Sequence, residues 1–154
     1  MPTPLVATPA TESQAQLSPD GKWLAYTSDE TGTQHVYVRP FSSTPPLPET
    51  KWQISSAFGR EPRWRADSHE LYYLEYAAVA TRRYRLTAVP ITAGATPVGT
   101  PTPLFDVVTL GTLAFFNVFV YAPAPDGQQF LVATTASDAQ PTLDVILNWA
   151  GDER

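Results

Sequence analysis

Ser18-Pro19-Asp20-Gly21-Lys22-Trp23-Leu24-Ala25-Tyr26 sets the reading of the whole chain. Pro presets φ at the first central position of a turn, Asp accepts hydrogen bonds from the backbone that follows it, and Gly permits positive φ. The apolar and aromatic run behind the turn reads as a strand. The same unit returns twice. Arg65-Ala66-Asp67-Ser68 stands 47 residues later, and Ala124-Pro125-Asp126-Gly127 follows after another 59. In the middle copy Ala66 replaces Pro and Ser68 replaces Gly, so that turn is expected to be looser, with Asp67 still bonding backbone.

Short strand signals fill the intervals. Expected strands are Ala15–Leu17, Trp23–Ser28, His35–Pro40 and Lys51–Ser55; then Glu61–Arg65, Glu70–Tyr76, Arg85–Ile91 and Thr102–Phe105; then Phe119–Ala122, Gln128–Thr134 and Thr142–Trp149. No window has a helical period, and Ala77–Arg83 reads as a link between strands. Composition agrees: 16 Pro against 8 Gly argues against a helical bundle, because each internal Pro removes a helix hydrogen bond. Four antiparallel strands per ~45 residues, repeated, is the format of a propeller blade.

These residues resemble the repeat of TolB-type and WD40-like β-propellers. Ser18–Tyr26, Glu61–Asp67 and Ala124–Leu131 carry the likeness, over residues 15–149. The family core is Trp-Ser-Pro-Asp-Gly followed by an apolar strand. Leu17 and Pro123 stand where its Trp belongs, and the middle copy keeps Trp64 while losing Pro and Gly. Val145-Ile146-Leu147-Asn148-Trp149, Ala88-Val89-Pro90-Ile91 and Pro103-Leu104-Phe105 resemble the propeller at the C-terminus of bacterial serine/threonine kinases with sensor-like propeller regions. That likeness implies the C-terminal half of a six-bladed ring. No kinase motif is present, so kinase activity does not carry over.

The expectation is an all-β chain of about three blades, 15–55, 56–105 and 106–149. Three blades do not close a ring. An open half-ring exposes apolar faces and strand edges that invite association, and a two-fold pair would supply six blades. Pro2-Thr3-Pro4-Leu5-Val6 resembles Pro101-Thr102-Pro103-Leu104-Phe105, so residues 2–8 are expected to complete the last blade of a partner chain by strand exchange. A fragment of a longer propeller, or a small unclosed β-domain, is also compatible with the repeats.

Chemistry-bearing motifs are sparse. With 0 Cys there is no disulfide framework and no thiolate metal site. His69-Glu70-Leu71-Tyr72-Tyr73 begins like a zinc protease motif, but it lacks the second His and lies on a strand. His35 and His69 are expected on exposed strand ends, and no Gly-x-Ser-x-Gly elbow accompanies them. Asp20, Gly21, Asp67, Asp126 and Gly127 are read as structural turn residues. No catalytic, metal or cofactor-binding residue is expected, and no cofactor.

The candidate binding face is Arg60, Glu61, Arg63, Arg65, Arg82 and Arg83: Arg60 with Glu61 and Arg82 with Arg83 are expected near the mouth of the channel, and Arg63 and Arg65 alternate on an innermost strand and are expected to point the same way, so that a small acidic ligand or a protein's carboxylates could dock bidentately. Solvated charge paired with Glu61, Glu70 or Glu75 is the plainer alternative. The aromatic residues Trp23, Trp52, Trp64, Trp149, Tyr26, Tyr37, Tyr72 and Tyr73 are expected to pack between blades. Leu113-Ala114-Phe115-Phe116 is apolar for a loop and reads as a cover over one end of the channel or across a dimer seam. The net charge of −5 disfavours nucleic-acid backbone as a partner. No run approaches the ~20 apolar residues of a membrane span. Met1–Gln16 has no signal-peptide pattern, so the chain as it stands is expected in the cytoplasm, or outside it if it belongs to a larger sensor. The functional expectation is a non-catalytic scaffold that binds protein or ligand as a homodimer. The alternative is a peptidase-associated or lyase-type propeller.

Overall fold

The computed structural model describes residues 6, 8–44, 48–78, 83–94, 96–108, 119–135 and 141–147. Among these there is no helix. Blade one is a sheet of β1 (Glu12–Leu17), β2 (Trp23–Ser28), β3 (His35–Pro40) and β4 (Trp52–Gln53), hydrogen-bonded in that order. Blade two repeats it with β5 (Gly59–Trp64), β6 (Glu70–Ala78), β7 (Arg83–Pro90) and β8 (Thr102–Val108). Blade three pairs β9 (Tyr121–Pro123), β10 (Gln129–Thr135) and β11 (Pro141–Leu147). Every pairing is antiparallel.

The period of two decides which blade each side chain meets. On β6, Leu71 and Tyr73 join Ala25, Val36, Val38 and Ile54 of blade one in one core. Tyr72 and Leu74, on the opposite face, join Tyr121, Phe130 and Val132 of blade three in another. Blade two is therefore covered on both faces, which is why Leu71-Tyr72-Tyr73-Leu74 is a continuous apolar run rather than an alternating one. Trp23, Trp52, Trp64 and Tyr73 pack between blades one and two, and Tyr72 meets Phe130 edge-on at 5.0 Å between blades two and three. Tyr26 and Tyr37 do not pack between two blades of this chain. They stack at 5.8 Å on the outward face of blade one, with Leu24, Val6 and Phe41. Trp149 and Leu113–Phe116 lie outside the described residues.

The three turns are superposable in their bonding. Gly21, Ser68 and Gly127 donate their N–H to Ser18, Arg65 and Ala124 carbonyls at 2.8, 3.0 and 2.9 Å. All three sit in the left-handed region, at φ 72°, 65° and 71°. Asp20, Asp67 and Asp126 each accept the N–H two residues on, at 3.1, 2.9 and 2.9 Å. The middle turn is thus not looser. Its departures from the motif are used between blades: the Ser68 hydroxyl accepts Asp20 N–H at 2.9 Å, and Ala66 N–H, which Pro would lack, reaches the Pro125 carbonyl at 3.4 Å.

Candidate functional site

β1, β5 and β9, the innermost strands of the three blades, stand side by side. Their residues correspond by the repeat spacing. Gln16, Arg63 and Ala122 share one position, and Leu17, Trp64 and Pro123 share the next. These six residues and Pro19 line one groove of about 310 Å³. Trp64 is fixed there by its indole N–H, which donates to the Gln16 carbonyl at 3.1 Å, and Leu17 is left 48% exposed.

Arg63 is the charged residue lining this groove, and it also borders a neighbouring cavity of about 170 Å³ with Phe119, Leu131 and Ala133. Its guanidinium lies 3.6 Å from the centre of the Phe119 ring, a cation–π contact. No carboxylate of the described residues lies within ion-pairing distance of it, and its buried Nε has no hydrogen-bond partner among them. A half-buried guanidinium with open donors is suited to a carboxylate, which it can engage with two parallel hydrogen bonds.

The other members of the expected basic face are spent elsewhere. Arg60 and Glu61 are buried rather than exposed at a channel mouth: they form an ion pair at 2.7 Å, and the Arg60 guanidinium lies 5.9 Å over the Tyr84 ring. Burial holds the Glu61 carboxyl above its ordinary value, against the smaller opposing pull of Arg60. Arg65 is held by Asp67 through two bonds of 2.9 and 2.8 Å and by Glu70 at 2.9 Å. This clamp brings the Asp67 carboxyl down to about 2 and raises the Arg65 guanidinium. Arg63 and Arg65, expected to point together, serve a groove and a turn respectively. Arg83 is half-exposed at 3.9 Å from Asp106, whose nearer partner is Arg85 at 2.8 Å. Arg82 lies outside the described residues.

Glu61 belongs to a feature that reasoning from motifs missed. β1 and β5 carry the same bulge, between Ser13 and Gln16 and between Arg60 and Arg63. In each bulge one non-glycine residue is left-handed, Gln14 at φ 53° and Glu61 at φ 56°. Gln14 Oε1 accepts the Glu61 N–H at 2.9 Å, and Glu61 Oε2 accepts the Val120 N–H at 2.7 Å. The Tyr121 hydroxyl adds a bond of 2.7 Å to the Glu61 carbonyl. The signal was in the spacing: residues 14, 61 and 120 repeat at 47 and 59, as the turn aspartates do.

His35 is also not at an exposed strand end. It is buried, with Nδ1 3.1 Å from Ser55 Oγ and 3.3 Å from Gln53 Nε2. Ser55 Oγ accepts the Val36 N–H at 3.0 Å and is itself 1% exposed, so this Ser–His contact serves the fold and offers no nucleophile to a substrate. His69 is exposed beside the Asp67 turn. No group of three or more His, Asp or Glu suited to a metal occurs among the described residues. No helix among them is long and apolar enough to cross a membrane.

No family model matches the sequence, and no curated protein does. Solved structures match in fold. TolB from Acinetobacter baumannii superposes with a TM-score of 0.63 at 18% identity, over 90% of this chain and 30% of that one. The β-propeller domain of Cps50 (Swd1) from Myceliophteria thermophila gives 0.52 at 12%, over 90% of this chain and 38% of that one. A puromycin-hydrolyzing peptidase from Mycobacterium tuberculosis gives 0.53 at 9%, over 87% and 23%. The chain therefore has the fold of consecutive blades of a TolB-like and WD40-like propeller, and spans about a third of the length of the first two.

Proposed function

We propose that this chain is a non-catalytic binding scaffold, half of a six-bladed ring completed by a second copy, whose axial groove takes a carboxylate. The ligand is a small acidic molecule or the acidic side chains of a protein. One observation carries the reading: Arg63 lies in a groove shared by all three innermost strands, with no carboxylate partner among the described residues. Propeller folds host many activities, so the site and not the fold bears the argument. In the dimer, residues 2–8 are the candidate fourth strand of the partner's third blade. Of these only Val6 and Thr8 are described, and Val6 packs on blade one of its own chain.

The test is calorimetric titration with an oligoglutamate peptide. Binding by the native protein and by Arg83→Ala, weakened about tenfold in Arg63→Ala, supports the groove. Equal binding by both variants overturns it. A second reading, an accessory propeller beside a hydrolase domain, has the likeness to the mycobacterial peptidase in its favour. Turnover of a small hydrolase or lyase substrate by this chain would move the balance to catalysis.

A further inference from the structure

We infer that the outward face of blade one seats blade three of a second copy, so that two seams of one kind close the ring. This rests on the dimer reading above and names the surfaces that would form it. A cavity of about 350 Å³ lies on blade one among Val6, Ser13, Gln14, Ala15, Leu24 and Tyr26. Displaced by one repeat of 47 residues, Ser13, Gln14, Leu24 and Tyr26 become Arg60, Glu61, Leu71 and Tyr73. Glu61, Leu71 and Tyr73 are where blade one itself meets blade two, through the Gln14 amide and a shared core. The cavity thus occupies, on blade one, the place of an interface already built once in the chain.

The matching surface is the outward face of blade three. Tyr72 and Leu74 of blade two cover blade three, and their counterparts 59 residues on are Leu131 and Ala133. Leu131 is 38% exposed, while Phe130 and Val132 beside it are buried against blade two. One element of the internal seams is missing from this one. Gln14 and Glu61 each supply a side-chain acceptor to the next blade, whereas blade three has Val120 at that position. The seam between copies is therefore weaker than those within a chain, and the dimer dissociates on dilution.

Two exposed positions test this without touching the buried cores: Leu131→Asp on blade three and Ala15→Arg at the rim of the blade-one cavity. Mass is measured by light scattering across a dilution series, with circular dichroism to verify that each variant is folded. The native chain is expected near twice 16.9 kDa, and each variant alone should dissociate at least about tenfold more readily. An equimolar mixture of the two variants should recover the dimer. One seam is then native on both sides, and the other sets the new aspartate against the new arginine. A native dimer that neither variant weakens, or a mixture that fails to recover, overturns the seam while leaving the dimer reading intact. A native chain that stays monomeric at every concentration removes the dimer reading and the seam with it.

Discussion

The Glu61 carboxylate accepts the backbone N–H of Val120 at 2.7 Å, across 59 residues of sequence and from one blade to the next. The Gln14 amide makes the equivalent bond to Glu61 at 2.9 Å. Both acceptors project from a bulged, left-handed residue in an innermost strand. The strain of a left-handed non-glycine, of order 1 kcal/mol, is thus turned to aiming a side chain along the inner wall. The amide needs no countercharge. The carboxylate does, and Arg60 supplies it at 2.7 Å.

Replacing Glu61 by Gln should retain the bond to Val120 but leave Arg60 buried without its partner. Breaking a buried pair from one side costs about 3–5 kcal/mol, because a bare charge is left in the interior. The double variant Arg60→Met/Glu61→Gln removes both charges and keeps the acceptor, as Gln14 does in blade one. It should recover most of the loss. Urea unfolding of the three proteins decides, and a double variant as unstable as the single would show that the ion pair is not the source of the cost.

Acid titration should separate two carboxylates with opposite signs. Asp67 is depressed from 3.8 to about 2 by the Arg65 clamp, so its contribution is present above pH 3.8 and is lost as pH falls toward 2. Glu61 is raised from 4.5 by burial. The native state then holds a proton that the unfolded state has released, so stability falls as pH rises from 4.5 through the folded value. Unfolding free energy measured from pH 2 to 7 should show a shallower acid limb in Asp67→Asn, the remainder belonging to Asp20, whose carboxyl the Ser18 and Lys22 bonds also depress. In Arg60→Met/Glu61→Gln it should lose the decline above pH 4.5. Profiles parallel to the native protein in both variants would contradict these assignments.

The blades were legible because their signals are local. A turn motif and a strand of period two lie within one short window, and three copies at related spacings fixed the architecture. The Arg60–Glu61–Arg63 segment was not legible in the same way. Period-two reasoning assigns alternate residues to alternate faces, but the bulge at Glu61 breaks that register and sends a carboxylate between blades. The burial of His35 was hidden for a related reason: its partners Ser55 and Gln53 come from β4 and the loop after it, about 20 residues on. Arg63 was readable as a candidate, yet its ring partner Phe119 comes from a loop more than 50 residues away.

The turn glycines should differ in cost although their backbone is the same. Gly21 and Gly127 have φ of 72° and 71°, so alanine at either is strained by about 1 kcal/mol. A Cβ at Gly21 meets nothing within 4 Å. At Gly127 it would lie 2.1 Å from the Tyr72 hydroxyl and 2.9 Å from Arg65 Cδ. Tyr72 cannot withdraw freely, since its hydroxyl donates to Glu70 at 2.7 Å and its ring packs on Phe130. Gly127→Ala should therefore cost about 2–4 kcal/mol, against about 1 for Gly21→Ala. Thermal unfolding of both checks this, and equal losses would mean that the third turn is not seated on blade two.

Arg63 supports a last prediction, about charge rather than shape. A carboxylate in the axial groove gains from the guanidinium's paired donors, which an ammonium lacks. Arg63→Lys keeps the charge and Arg63→Ala removes it. If recognition is bidentate, Lys should lose most of what Ala loses in affinity for an oligoglutamate peptide, about tenfold. If the groove acts only as a positive field, Lys should bind like the native protein, and affinity should fall steeply as salt is raised. Titrations of the three proteins at low and physiological ionic strength separate these outcomes, and unchanged binding by Arg63→Ala at both would move the acidic ligand out of the groove.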